Sequence, residues 1–346
     1  MRCMTFGCAA AQSRQNFGVR SCVSDPNGSN RWPDSPKEMA MQMQTTWSDR
    51  GTALELAART GCDETPALML LSRGGSLVVS TPVATLWLVL RGEAEVECRE
   101  GRFELGRGQW LSLERDARPT VYAGAGALLV GIAMTASMQT QLHQSAQVVV
   151  FPGLGGVARG VRSDALRLWR RCAAFARNEA ALREVDRHLL GQVLRLLAAQ
   201  QHAYREMVDR CPGRSLRRKR QVFSRMQRAW LHIEGHLGRT VRIAELAELS
   251  NVSVWYFTKT FHALYGEGPQ AASARLRLRS AAKLLRRTRL SVSEVGAACG
   301  FENNCSFSRA FRAQHGMPPS LYRLANANGR TGNANTPDMA RQASAG

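Results

Sequence analysis

Hydrophobic and polar positions change rhythm along the chain. From about residue 65 to 135 short apolar runs are divided by glycine turns: "GSLVVS", "TLWLVLRG", "EAEVECRE", "GRFELGRGQWLSL" and "PTVYAGAGALLVGIAM". In "EAEVECRE" alternation sends Ala94, Val96 and Cys98 to one face and Glu93, Glu95 and Glu97 to the other, the pattern of a half-buried antiparallel strand. Several such strands at close spacing predict a sandwich or small barrel. From about residue 161 the apolar spacing becomes three and four. Leu182, Val185, Leu189, Val193, Leu196 and Leu197 form an amphipathic stripe whose partner is either the chain's own core or a second subunit. "CPGRSLRRKRQ" then breaks the pattern with Pro-Gly and a dense basic run, and reads as a linker.

Past that break the chain repeats itself. Laid over each other, "IAELAELSNVSVWYFTKTFHALYGEGP" and "VSEVGAACGFENNCSFSRAFRAQHGMPP" place Glu245 on Glu294 and Leu246 on Val295. One inserted residue later, Phe257, Lys259, Phe261, Gly266 and Pro269 fall on Phe307, Arg309, Phe311, Gly316 and Pro319. Each unit reads as a short helix, a turn, and a second helix closed by Gly and then Pro, which is a helix-turn-helix. At about 100° per residue, Phe307 and Phe311 share one face, and Arg309 lies about 200° from Phe307. Phenylalanines therefore point inward, while Cys305, Arg309 and Arg312 point outward. The same outward face of the first unit carries Trp255, Lys259 and His262, with Thr258 on its shoulder. An outward tryptophan beside a lysine suits a helix that enters a groove, where Trp touches bases or sugars and cations reach phosphates and guanine edges.

Charge sharpens this picture. The formal net charge is +20. Residues 214–323 hold 20 Lys+Arg against 6 Asp+Glu, and the remaining residues hold 27 against 21. Excess cation in the C-terminal third favours a polyanionic partner. No run of about 18 apolar residues occurs, so no membrane partner is expected. The opening "MRCMTFGCAAAQSRQ" lacks the apolar stretch of an export signal, which makes the cytoplasm the expected location. Nine cysteines include no Cys-x-x-Cys pair and no Cys/His cluster at zinc-ligand spacing, so neither a metal nor another cofactor is expected.

The "GF…FSRAF…G…P…YR" signature at Gly300, Phe301, Phe307 to Phe311, Gly316, Pro319, Tyr322 and Arg323, with both repeat units, resembles the DNA-binding domain of AraC/XylS-type transcription regulators. The resemblance covers roughly residues 225–323. It implies an α+β protein: an N-terminal cupin-like antiparallel β barrel, a helical connecting segment, and a C-terminal all-α domain of two helix-turn-helix subdomains joined by a linker helix near 269–287. The expected organisation is a disordered extension (1–48), the cupin-like regulatory domain (49–145), a helical dimerisation segment (161–210), a basic linker (211–224), the DNA-binding domain (225–323) and a disordered tail (324–346). Met39, Met41 and Met43 are candidate alternative starts.

By position, the resemblance implies base reading by Trp255, Thr258 and Lys259 through the first recognition helix, and by Asn304, Cys305, Ser308 and Arg309 through the second. It also implies double-stranded DNA with two motifs one turn apart as partner, a small-molecule effector, contact with RNA polymerase and a homodimer, with activation the commoner output. The stretch "LVLRGEAEVECREGRFELGRGQWLSLERD" resembles a cupin, yet contains no histidine for a cupin metal. Its interior either holds a small ligand or is packed core, and Arg91 and Arg118 are candidates to meet an acid. Gly296 stands where the family usually has alanine, which implies a second subdomain softer by about 1 kcal/mol. Cys305 replaces a more usual polar residue, and a redox-sensitive thiol there is an alternative role. Competing readings are a nonspecific, nucleoid-type nucleic-acid binder, a cupin-type enzyme, or an alkyl-accepting repair regulator; the absence of metal ligands and repair motifs argues against catalysis.

Overall fold

The structure, a computed structural model, describes residues 44–57, 66–146, 149–175, 194–195, 198–199 and 201–331. The stripe from Leu182 to Leu197 falls almost wholly outside them, as do residues 1–43 with the candidate starts, and residues 332–346.

Eleven described strands make two sheets. One has the order β1 (Gln44–Ser48), β3 (Ala67–Ser72), β10 (Leu128–Met134), β5 (Ala84–Arg91), β8 (Gln109–Leu113), β11 (Gly153–Gly156). The other runs β2 (Ala53–Leu56), β4 (Ser76–Val79), β9 (Thr120–Ala123), β6 (Glu93–Cys98), β7 (Gly101–Gly106). Pairing is antiparallel, as expected, except at two edges, where β1 joins β3 and β2 joins β4 in parallel. Ala94 and Val96 are buried and Cys98 half-buried, as the alternation of β6 requires.

Between the sheets, Met69, Leu71, Trp87, Leu111 and Leu129 of the first meet Leu77, Val79, Val96, Phe103 and Val121 of the second in one core. Trp87 is fully buried, and its indole donates to Thr85 Oγ1 at 3.1 Å. It lies flat on Gly131, its cross-strand partner in β10, where a Cβ would come within 2.3 Å of the ring. Arg91 and Arg118 are exposed, and Arg91 Nε donates to Gly126 O at 3.0 Å. Neither arginine enters the core.

Strand β1 revises the expected extension at 1–48. Trp47 sits opposite Leu70, its Nε1 donates to Ser72 Oγ at 3.1 Å, and its ring meets Trp169 edge-on. Trp169 belongs to α2 (Arg159–Phe175), which follows α1 (Ala136–Ala146). Next come α3 (His202–Arg210) and α4 (Leu216–Gly235). The basic run expected to be linker is therefore the start of α4. Ser215 caps it, accepting from Arg218 N at 3.2 Å, and Leu, Arg and Lys are good helix formers.

Helix α4 belongs to two cores. Val222, Phe223, Met226, Ala229 and Ile233 pack with the first helix-turn-helix, whereas Leu231 joins the core of the sandwich. Arg228 Nε reaches Glu100 Oε1 at 2.9 Å and its Nη2 reaches Asp116 Oδ2 at 2.8 Å. Backbones touch beside this pair, since a Cβ on Gly101 would fall 2.4 Å from Gly235 O.

Two like-built units follow. The first is α5 (Ile243–Leu249) and α6 (Val254–Tyr265), and the second α8 (Val292–Ala298) and α9 (Asn304–His315), joined by α7 (Pro269–Arg287). The last helix, α10 (Pro319–Thr331), runs beyond residue 323 and so into the expected disordered tail. Tyr322 anchors it against Phe311, with ring centres 5.3 Å apart.

Candidate nucleic-acid interface

The duplicated sequence produces duplicated stereochemistry. Both inter-helix turns pass through a left-handed residue, Asn251 (φ 50°) in the first and Gly300 (φ 71°) in the second. Those conformations suit asparagine and glycine. Each second helix is then capped by a side chain: Ser253 Oγ accepts from Tyr256 N at 3.3 Å, and Asn303 Oδ1 accepts from Ser306 N at 2.7 Å. Both end on a left-handed glycine, Gly266 and Gly316, and the helix after each begins at a proline, Pro269 or Pro319.

Inside, Phe257 and Phe261 of α6 and Phe307 and Phe311 of α9 are fully buried. The outer faces carry the expected residues. Trp255 is 69% exposed, and Lys259 Nζ stands 4.9 Å from the centre of its ring. The indole thus props the ammonium outward by a cation–π contact. His262 is exposed on the same face. Thr258 is half-buried and its hydroxyl donates to Val254 O at 2.9 Å, which leaves it an acceptor for a base donor. On α9, Asn304, Cys305, Arg309 and Arg312 are exposed and Ser308 is half-buried. No carboxylate lies within ion-pair distance of Lys259, Arg309 or Arg312 among the described residues.

Glu245 and Glu294 hold the same place in the repeat but have different partners. Glu294 closes a capping box with Ser291, accepting from Ser291 N at 2.6 Å while its own N donates to Ser291 Oγ at 3.1 Å. Glu245 instead bridges Arg239 and the buried His232, whose Nε2 lies 2.7 Å from Oε1. The Arg239 guanidinium, with help from His232, holds the Glu245 carboxyl down to about 2, and burial lowers the pKa of His232. A carboxyl depressed in the folded state contributes stability above its unfolded pKa and loses it as pH falls through the folded one. We therefore expect the thermal midpoint of Glu245→Gln to converge on that of the wild type between about pH 4.5 and pH 2; a constant gap across that window would show that the bridge is not formed.

Gly296 has a packing role in the second unit. A Cβ there would sit 3.1 Å from Phe307 Cδ1, so the glycine lets α8 lie close on the ring of α9. Close packing of α8 on α9 accounts for a glycine at this position. Glu267, in the segment before α7, pairs with Arg275 at 2.6 Å. Sequence reasoning missed Arg228 and Arg277, whose partners lie far away along the chain; the left-handed pair Asn251 and Gly300 was findable from the repeat offset.

Among the described residues no group of His, Cys, Asp and Glu is arranged to hold a metal, and no helix is long and apolar enough to cross a membrane.

Two second helices carried on duplicated scaffolds define the chain's C-terminal part as a tandem helix-turn-helix module. The sequence profile of the helix-turn-helix domain matches residues 246–325. The HTH-type transcriptional activator AarP of Providencia stuartii is 33% identical over 92 residues, covering 27% of this chain and 68% of AarP. The uncharacterized HTH-type transcriptional regulator YobQ of Bacillus subtilis is 35% identical over 108 residues, 31% of this chain and 44% of that protein, so the chain spans under half of YobQ. A probable AraC family transcriptional regulator of known structure from Rhodopseudomonas palustris is 29% identical, covering 30% of this chain and 96% of that one, with a TM-score of 0.28. The chain belongs to the AraC family of helix-turn-helix proteins.

Proposed function

We propose that the chain is a sequence-specific regulator of transcription that binds double-stranded DNA through α6 and α9. The observation that carries this reading is that two copies of one scaffold present different outward side chains: Trp255, Thr258, Lys259 and His262 on one, Asn304, Cys305, Ser308, Arg309 and Arg312 on the other. A nonspecific binder needs only cations. Different sets on a common frame support the reading of two different base sequences in successive major grooves. Lys259 and Arg309 supply the donors for guanine edges or phosphates, and Trp255 supplies apolar contact with bases or sugars.

AarP is described as a transcriptional activator, and activation by contact with RNA polymerase is the proposed output here. The sandwich is proposed to receive a small-molecule effector or partner, and the chain to act as a cytoplasmic homodimer. No catalytic step is part of this proposal.

The test is retention of genomic fragments by purified protein at about physiological salt, followed by sequencing. Recovery of a few sites, each with two motifs about one turn apart, supports the proposal; uniform recovery makes the chain a general nucleic-acid binder. On a recovered site, Lys259→Ala and Arg309→Ala should each weaken binding by about 1 to 3 kcal/mol. Neither should change the thermal midpoint, and a lost transition in either would place that residue in the core.

A further inference from the structure

Arg277 lies on α7 between the two helix-turn-helix units and is only 8% exposed. Burying a guanidinium without a carboxylate is costly. Yet no carboxylate pairs with Arg277 among the described residues, and burial lowers its pKa. Its Nη1 donates instead to Thr240 Oγ1 at 3.2 Å and to Gly300 O at 2.9 Å, and its Cζ stands 4.7 Å over the Phe301 ring. Nε is buried with no partner.

These contacts belong to different units. Thr240 is in the loop that leads into α5, whereas Gly300 and Phe301 form the turn that leads into α9. The two segments also meet backbone to backbone. A Cβ on Gly300 would come 2.8 Å from Arg239 Cα and 2.8 Å from Gly238 O, in addition to the strain of φ 71°. Asn303, the cap of α9, lies two residues beyond Phe301. A leucine or methionine would fill such a site without the desolvation cost. The guanidinium does what neither can, because Nη1 donates to both units at once while the planar face rests on Phe301 and holds that nitrogen between its two acceptors.

We propose that Arg277 is a positioning residue that locks the two helix-turn-helix units into one rigid reader, so that this seam, and not bending of α7, fixes the spacing of the two DNA motifs. The inference rests on the DNA-reading function proposed above. An inserted base pair moves the next groove by about 3.4 Å and turns it by roughly 34°. A rigid reader cannot follow that displacement.

The experiment selects binders from a random double-stranded DNA library with the full chain, then measures affinity as base pairs are added between the selected motifs. The wild type should enrich the motif pair at one spacing and lose roughly 30-fold or more on insertion of one base pair. Arg277→Lys keeps the charge but loses the planar face on Phe301 that holds the donor nitrogen between Thr240 and Gly300. It should select the same motifs with an insertion penalty under roughly 5-fold. Thr240→Val should move in the same direction by less, and it carries the comparison if the lysine variant does not fold. Enrichment of one motif pair at several spacings by the wild type overturns the inference, as does a folded Arg277→Lys that keeps the full penalty. Enrichment of no motif would instead overturn the DNA-reading proposal itself.

Discussion

Arg228→Ala is expected to destabilise the chain by about 3 to 5 kcal/mol, the cost of stranding a buried charge. Glu100 is 1% exposed on its side chain, and its Oε2 has no hydrogen-bond partner, so Arg228 at Oε1 is the cation that compensates it, beside a weaker contact with the Cys98 thiol. Asp116 fares differently. It is 47% exposed and has Arg99 as a second cation at 3.1 Å, so water and Arg99 take over when Arg228 is gone. The loss falls on the contact of α4 with β7, where close backbone approach at Gly101 and Gly235 leaves no room for rearrangement. Urea unfolding of wild type, Arg228→Ala and the double variant Arg228→Met with Glu100→Gln makes the comparison. The double variant should recover most of the stability, because removing both charges also removes the desolvation cost. A change below about 1 kcal/mol in Arg228→Ala would mean that the pair behaves as a surface ion pair.

Phe307→Ala should cost about 3 to 5 kcal/mol as well, by a different route. Phe307 is fully buried in a small cluster with Leu278, Leu285, Val295, Cys299 and Phe311. Its ring centre lies 5.2 Å from that of Phe301 and 5.7 Å from that of Phe311. Gly296 rests directly on the ring, so alanine leaves a cavity that α8 cannot fill with any side chain of its own. Alanine at this position should melt the second unit and reduce DNA affinity to that of the first unit alone. Arg309, two residues on, gives the contrast: its loss should weaken binding and leave the melt unchanged. Circular dichroism melts beside DNA titrations decide the matter, and a Phe307→Ala protein that melts like the wild type would reverse the inside and outside of α9.

The tandem helix-turn-helix was legible because its determinants are local. Helical periodicity, caps, closing glycines and the copying of one unit into the other are all written within about thirty residues. The sandwich was legible only in part. Strand β6 alternates and was readable, whereas β3 is buried at all six positions and shows no alternation. Strand β11 is "GLGG", a poor strand former by composition. It exists because Trp110 needs close backbone approach; a Cβ at Gly155 would lie 2.8 Å from that indole. The parallel edge pairs β1–β3 and β2–β4 depend on connections longer than a short window records. The start of α4 was misplaced because basic density resembled a linker, although Ser215 was available as a cap. Arg277 read as one more cation in an Arg-rich helix, since its partners Thr240 and Gly300 approach only in the folded chain.

Helix α4 places Leu231 in the sandwich and Phe223 and Met226 in the first helix-turn-helix, so it cannot be assigned to one side of a domain boundary. A chimera that grafts another sandwich onto this DNA reader must choose which neighbour keeps α4. Splicing upstream of Ser215 would present Leu231 and Arg228 to a foreign sheet, and splicing after Gly235 would deprive α6 of the wall it packs on. Grafts between relatives should therefore succeed when the matching strand of the sandwich, β7 with Glu100 and Gly101, travels together with the helix, so that helix and strand form the unit of exchange.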